Sequence, residues 1–207
     1  MSTDAHNHGP HLPDGLLLEG VVTTLHADGS PHVAPMGPIV NNDFTQIRLR
    51  PFRSSTTYQN LGRSRQGVLH VTDDVELIAR AAVGELHEVP PWIAAREVNG
   101  VVLRDACRWY EFRVASIDDR DDRTEIVADI VACGRGREFF GFNRAKHVVI
   151  EAAIVATRLH LLEPAFVQRE FARMATVVEK TGGSAERRAF QFLCDYVDRR
   201  RTPEATE

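Results

Sequence analysis

The sequence predicts an α+β protein, with an antiparallel β half that closes as a small barrel and a helical half after it. Three observations carry this. Up to about Arg135 the apolar residues recur mainly with a period of two between Gly, Pro, Asn and Asp turn signals, which gives six or seven short strands. From Asn143 onward the apolar spacing becomes that of helices. Apart from two small inserted helices, the strands come as one run and the long helices as another, the order of an α+β rather than a parallel α/β chain. Short antiparallel strands in this number close into a barrel, which hides their edges.

With 207 residues, 43% of them hydrophobic, the chain can bury the core of one generous domain, or of a domain with a helical appendage. Its net charge of −4 lacks the basic excess of a nucleic-acid-binding surface. No uncharged apolar run approaches the roughly 20 residues that cross a bilayer. Residues 1–15 hold no apolar signal core. A cytoplasmic protein without nucleic-acid or membrane partners is therefore expected. Cys107, Cys133 and Cys194 are odd in number and widely spaced, which fits free thiols and gives no zinc pattern. The expected organisation is a polar tail over 1–15 containing His6, His8 and His11, a β domain over 16–140, a helical subdomain over 141–201 and a frayed end over 202–207.

Residues 16–26 read as the first strand, Asp28-Gly29 as a turn and residues 31–40 as the returning strand. The middle of that return, Ala34-Pro35-Met36-Gly37-Pro38, is unusual, because two prolines donate nothing to a ladder and Gly admits a close approach to the backbone. It is either an irregular edge strand or a wall for a flat ligand. Residues 44–50 form the third strand, a short helix covers 56–61 and a fourth strand 68–72. Asp73-Asp74 open a helix over 75–83, where acidic residues suit the positive helix start; a metal site is the alternative use of the pair. Short strands follow at 101–103, 109–117 and 124–132. The charged run 118–123 reads as a solvated hairpin loop, since it lacks the Gly and closing Glu of a calcium loop. Residues 144–162 are apolar nearly all round and predict a helix buried between layers. A second helix begins at Glu163-Pro164 and stops at Thr181-Gly182-Gly183, and Ser184 caps the last.

The stretch with the most chemistry is Arg50-Pro51-Phe52-Arg53-Ser54-Ser55-Thr56-Thr57-Tyr58-Gln59-Asn60-Leu61. It places two arginines and four consecutive hydroxyl residues between a strand and a helix start. Such a start presents free N–H groups and a positive dipole end to an anion. Ser and Thr both cap the helix and donate O–H, and Arg50 and Arg53 can add charge-assisted hydrogen bonds. The pattern fits a seat for a phosphate monoester; it also fits an ordinary capped helix with surface arginines.

Glu19-Gly20-Val21-Val22-Thr23-Thr24, Ala34-Pro35-Met36-Gly37, Leu49-Arg50-Pro51-Phe52, Thr57-Tyr58-Gln59-Asn60-Leu61 and Thr72-Asp73-Asp74 resemble the signature blocks of domain of unknown function family 447. Phe142-Asn143-Arg144-Ala145 and Ile150-Glu151-Ala152-Ala153-Ile154 resemble its C-terminal block. The blocks follow in order over residues 16–162. That family is similar to the FMN-binding split barrels of flavin reductases. The resemblance therefore implies an FMN-binding split β-barrel of antiparallel, Greek-key type, FMN as cofactor and a homodimer. It implies that Arg53, Ser54, Ser55, Thr56, Thr57 and Asn60 lie in the segment that holds the FMN phosphate. It also implies that Met36, Gly37 and Pro38 lie along the isoalloxazine ring. One departure is His70, which stands where flavin reductases carry Asn.

A flavin brings its own redox chemistry, so no acid–base triad is required, and none is legible. Without a G-x-G-x-x-G or Walker loop, no built-in dinucleotide domain is indicated. The expected activity passes reducing equivalents from NADH or NADPH to a small acceptor, flavin or pterin-like. The alternatives are a non-catalytic FMN-binding or storage module and a split barrel that uses a deazaflavin. His87, Trp92 and Arg144 are candidate wall residues. Arg135, Arg137 and Arg144 gather at one corner, and Arg144 in the first turn of a helix opposes the dipole and calls for an anion. Asn143 and Arg144 are therefore expected beside the flavin; the alternative is a plain Asn cap with Arg144 in solvent.

Overall fold

Two residues, Gly37 and Pro38, decide the topology. In the computed structural model, which describes residues 15–201, the strands run β1 (Leu16–Leu17), β2 (Gly20–Leu25), β3 (Pro31–Met36), β4 (Ile39–Val40), β5 (Gln46–Leu49), β6 (Gln66–Val71), β7 (Trp92–Ala94), β8 (Val101–Leu103), β9 (Arg108–Asp118) and β10 (Glu125–Arg135). Eight of them form one antiparallel sheet in the order β1-β4-β5-β10-β9-β6-β2-β3. β3 and β4 are consecutive in the chain, yet six strand spacings separate them in that order. At about 4.8 Å per spacing a flat sheet would hold them roughly 29 Å apart, far beyond the reach of two residues. The sheet must therefore curl until its ends meet at Gly37-Pro38, where Leu18 N–H donates to Pro38 O at 2.9 Å.

The α+β split barrel of the sequence reading holds, with two corrections. The barrel is not closed by a continuous ladder, because at the seam β3 and β4 succeed each other instead of pairing. The strand expected over 31–40 is consequently two strands. That expected over 16–26 also breaks, at Leu18-Glu19, with β1 pairing to β4 and β2 to β3 and β6. The expectations for the His6, His8 and His11 tail and for the end at 202–207 lie outside the described residues.

The barrel interior is filled by Val22, Leu49, Leu69, Phe112 and Ile126, together with Leu61 from α1 (Thr56–Ser64). α2 (Val75–Ala82) joins the two halves. Its Leu77 and Ile78 pack on Val21 and Val33 of the barrel, while Val75 and Ala79 enter the core of the C-terminal helices. Those helices are α3 (Arg144–Ala156), α4 (Pro164–Thr181) and α5 (Ser184–Arg201). α3 lies between layers as its composition requires. Ala145, Val149, Ala152, Ala153 and Ala156 face the helical core, and Ile150 also reaches the barrel cluster. α3 stops at Ala156, six residues earlier than its apolar run suggests. Beyond it Arg158 N–H and Leu161 N–H donate to carbonyls three residues back, so the run ends in tight turns.

Two buried polar side chains brace the outer face. Glu111 accepts from the N–H groups of Arg96, Glu97 and Val98 at 3.1, 2.6 and 3.2 Å and so shapes the loop between β7 and β8. His70 donates from Nδ1 to Val21 O (3.2 Å) and accepts at Nε2 from Leu103 N–H (3.1 Å), a tautomer fixed by its two backbone partners.

Candidate functional site at the barrel seam

The seam and the hydroxyl-rich stretch meet at one end of the sheet. Ile39, just after Gly37-Pro38, pairs with Arg48, and Arg50 lies two residues further along. A Cβ built on Gly37 would sit 3.1 Å from Leu17 Cδ2 and 3.6 Å from Glu19 Oε1. Glycine thus leaves a shallow opening that a larger residue would crowd. Met36 is half-buried and packs against the barrel core, and Pro38 is buried beside it.

At the start of α1, Ser55 is the N-cap and its Oγ accepts from Tyr58 N–H at 3.2 Å. Gln59 N–H donates to Ser55 O, which leaves the first N–H groups of the helix, at Thr56 and Thr57, facing its open end. Arg53 and Ser54 are exposed, Ser55 and Thr56 half-buried and Thr57 buried. Asn60 is occupied within the protein. Its Nδ2 donates to Thr24 Oγ1 at 2.9 Å and its Oδ1 accepts from Arg63 at 3.0 Å, so it fastens α1 to β2.

Arg50 carries the informative anomaly. Its Nε is buried without a hydrogen-bond partner. Buried donors are ordinarily satisfied, and one left open beside a helix start fits an anion that would complete it. The surroundings reinforce this. The β9–β10 loop folds back onto the stretch: Arg53 N–H donates to Asp122 O (2.9 Å), Thr124 N–H and Oγ1 both donate to Pro51 O (3.0 and 2.7 Å), and Phe52 pairs with Arg123 as an isolated bridge. Arg123 stacks over the Phe52 ring at 5.2 Å. Burial, with Arg50 and then Arg158 close by, holds the Arg123 guanidinium below its ordinary pKa. The hairpin loop expected over 118–123 is present and exposed; its last residue, Arg123, also stacks on Phe52. A sequence reading had no signal that Arg123 folds back onto Phe52, because that contact arises only through tertiary folding.

The other arginine-rich corner is arranged differently. Asp73, 5% exposed, accepts from Arg137, from Phe140 N–H (3.0 Å) and from the Cys107 thiol, whose Sγ lies 3.8 Å away. Burial works against ionisation of Asp73, but these bonds and the charges of Arg137 and Lys146 outweigh it and keep its pKa below the usual carboxylate value. Lys146 bonds to Asp73 O (2.7 Å) and to Glu186 (2.8 Å). The Asp73-Asp74 pair thus divides its work, with Asp74 capping α2 and Asp73 clamping the β10–α3 connection. Among the described residues no group of three or more His, Cys, Asp and Glu is arranged to hold a metal.

Asn143 caps α3 by accepting from Lys146 N–H (3.2 Å), and its Nδ2 donates to Thr181 O (3.0 Å). Arg144 is exposed. α3 separates Arg144 from the end that leads to Arg158 by roughly 18 Å at 1.5 Å per residue. Of the other arginines expected at this corner, Arg137 is paired with Asp73, and Arg135 lies opposite Arg108 in the β9–β10 ladder. Trp92 is exposed on β7, paired with Leu103, and His87 is exposed in the loop before it. His70, with both nitrogens committed to backbone, has none left for a ligand.

The fold is a split barrel with an arginine- and hydroxyl-rich stretch at its seam, and comparison with known proteins places it further. The chain belongs to the family described as protein of unknown function DUF447; residues 18–136 match its N-terminal domain and residues 143–195 its C-terminal part. Among solved structures it is similar to the FMN-bound DUF447 protein MM1853 from Methanosarcina mazei, at 24% identity and a TM-score of 0.72 over 88% of this chain and 95% of that one. It is also similar to a flavin reductase domain protein from Arthrobacter sp. FB24, at 15% identity and a TM-score of 0.50 over 58% of this chain and 79% of that one. No curated protein matches. No helix among the described residues is long and apolar enough to cross a membrane.

Proposed function

We propose that this protein is an FMN-dependent oxidoreductase that seats the cofactor phosphate at residues 50–57 and passes reducing equivalents from NADH or NADPH to a small planar acceptor, flavin or pterin-like. The observation that carries the reading is the buried, partnerless Nε of Arg50 beside the open start of α1. The FMN-bound state of MM1853, which shares the fold over most of both chains, supports the choice of cofactor. When bound, FMN would supply the redox chemistry; the chain supplies binding and orientation. Arg50 and Arg53 offer charge-assisted bonds, and Ser54, Ser55, Thr56 and Thr57 offer hydroxyls and backbone N–H groups. Met36, Gly37 and Pro38 form the wall, where the missing side chain of Gly37 admits a flat ring. Asn60 supports the seat by holding α1 in place, and Asn143 does the same for α3.

The exposed Leu16, Leu17 and Phe52 adjoin the seam and the seat. Apolar surface around a binding site favours cover by a second copy, so the active form is a homodimer. Light scattering at the mass of a monomer for FMN-loaded protein would end that part of the reading.

The binding test compares FMN with riboflavin. Arg53→Ala should weaken FMN by about 1.5–3 kcal/mol and leave riboflavin unchanged, because the lost bond is to the phosphate. Equal losses for both ligands would mean that the stretch seats no phosphate. For the activity, anaerobic holoprotein mixed with NADH or NADPH should lose its oxidised flavin band. A band that persists with both donors would favour a binding or storage module.

A further inference from the structure

We propose that the protein carries a second small-molecule site, at the barrel mouth between the end of the β9–β10 ladder and the β4–β5 loop, and that this site takes a planar aromatic ring bearing a carboxylate. It shares no residue with the seat over 50–57 and does not depend on the FMN reading.

Strand register builds the site. Along β9, Tyr110, Phe112 and Val114 are buried in the barrel core. Arg108, two residues before Tyr110, therefore stands on the same inward face, at its end. On β10 that face is held by Ile126, Ala128 and Ile130. The ladder then shifts between Ile130 and Ala132, so Val131 has no partner on β9. Beyond this bulge Cys133 lies opposite Tyr110 and Arg135 opposite Arg108. An unbroken strand would have pointed Cys133 and Arg135 outward; the bulge turns both to the inward face.

The result is a cavity of about 500 Å³ lined by Arg108, Arg135, Tyr110, Cys133 and Phe44, a volume within the range of small-molecule sites. Among the described residues the two arginines face each other with no ion pair and no side-chain hydrogen bond. Like charges directly opposite in a ladder are unfavourable, and an anion between them reverses the sign. Asp43 also lines the cavity, but it bonds to Thr45 Oγ1 (2.9 Å) and not to either arginine.

The other wall is aromatic. The Phe44 ring stacks on Tyr110 with centroids 5.0 Å apart. Phe44 has a φ of 55°, in the left-handed region that a bulky side chain rarely adopts. Asn41 Oδ1 holds the loop in that shape by accepting from the N–H groups of Thr45 (3.1 Å) and Gln46 (3.0 Å). Tyr110 is 7% exposed, and its Oη has no hydrogen-bond partner among the described residues, which leaves a donor open at the cavity wall. A ring lies against the aromatic wall while its carboxylate accepts from the guanidinium forks.

Calorimetric titration of the full chain with naphthoate, and with naphthol as the uncharged control, tests this. Wild type should bind naphthoate at least about tenfold more tightly than naphthol. Arg108→Ala and Arg135→Ala should each weaken naphthoate about tenfold and leave naphthol unchanged. Phe44→Gly, which removes the ring and suits the left-handed backbone, should weaken both ligands. Thermal unfolding of the arginine variants should match or exceed wild type, because one of two facing charges is gone, so lost binding would not be lost folding. Wild type that binds no naphthoate, or binds it no better than naphthol, would overturn the site, as would arginine variants that keep wild-type affinity. FMN affinity of the same variants should not change. A fall in FMN affinity matching that for naphthoate would overturn the claim of a second site and make the cavity part of the flavin site. The naphthoate outcome decides whether or not the protein binds FMN.

Discussion

Two arginine-rich corners look alike in the sequence and differ in the folded protein. At the hydroxyl-rich stretch, Arg50 Nε is buried without a hydrogen-bond partner and the exposed Arg123 stacks on Phe52. At the clamp, Arg137 and Lys146 are matched by Asp73 and Glu186. A paired corner is complete in itself and holds the chain together. An unpaired one leaves a donor open, which is the feature the proposed FMN phosphate would complete. The number of arginines therefore says little about function; whether folding brings each an anion says much.

The largest expected effect breaks the complete corner. Asp73→Ala removes the acceptor for Arg137 and Phe140 N–H and should cost about 2–4 kcal/mol in denaturant unfolding, at the lower side for a buried pair because Arg137 stays 38% exposed. FMN affinity of the protein that remains folded should not change. A comparable loss of FMN affinity with little loss of stability would show that the clamp is part of the site and collapse the contrast.

Acid should sharpen the same contrast. The folded pKa values of Asp73 and Glu186 are lowered, so the stability they add is present above their unfolded values near 4 and is lost as pH falls through the folded ones. His70, on the strand leading into the clamp, is held down to about 4, first by burial. Its contribution is present above the unfolded value of about 6.5 and lost between there and pH 4, on the order of 3 kcal/mol in full. Glu19, at the seam, responds in the opposite sense: burial and then Glu151 raise its pKa, so protonation relieves it. Denaturant unfolding should therefore show wild type losing stability from pH 7 to pH 4.5. His70→Asn, which retains a donor and an acceptor but no titrating ring, should lose clearly less. Equal losses would remove His70 from the account.

How much of this was legible in the sequence follows from what is local and what is not. The period-two strands, the Ser55 cap and the hydroxyl stretch are written in consecutive residues, and the structure keeps them. The Gly37-Pro38 seam was visible as an oddity, but a break in one strand and a jump across the whole sheet have the same local signature. The arginines were the least legible. Arg123 looked like the end of a solvated loop, and Arg158 like part of a longer helix. Arg137 looked like a free cation until Asp73, 64 residues away, was brought to it. Glu111 was silent for the same reason, and His70 stood out only as a departure from the flavin-reductase pattern, since the backbone partners of each are brought to it by folding.

The smallest effect belongs to Arg144. It stands in the first turn of α3, where the helix dipole disfavours a cation, and it is exposed. Asn143 already caps that turn and ties it to Thr181, so the helix start does not depend on its neighbour. Arg144→Ala should leave stability equal or raise it by about 0.3–1 kcal/mol, the usual range for relieving such a charge. FMN affinity should stay intact, because the phosphate seat proposed over residues 50–57 does not include Arg144, which is exposed. A drop in FMN affinity at unchanged stability would have a specific meaning in a dimer: the phosphate or the ring would be reached by the Arg144 of a second copy. Mixing Arg144→Ala subunits with Arg53→Ala subunits would then restore one intact site per heterodimer, whereas two defects confined to one protomer's site would not complement.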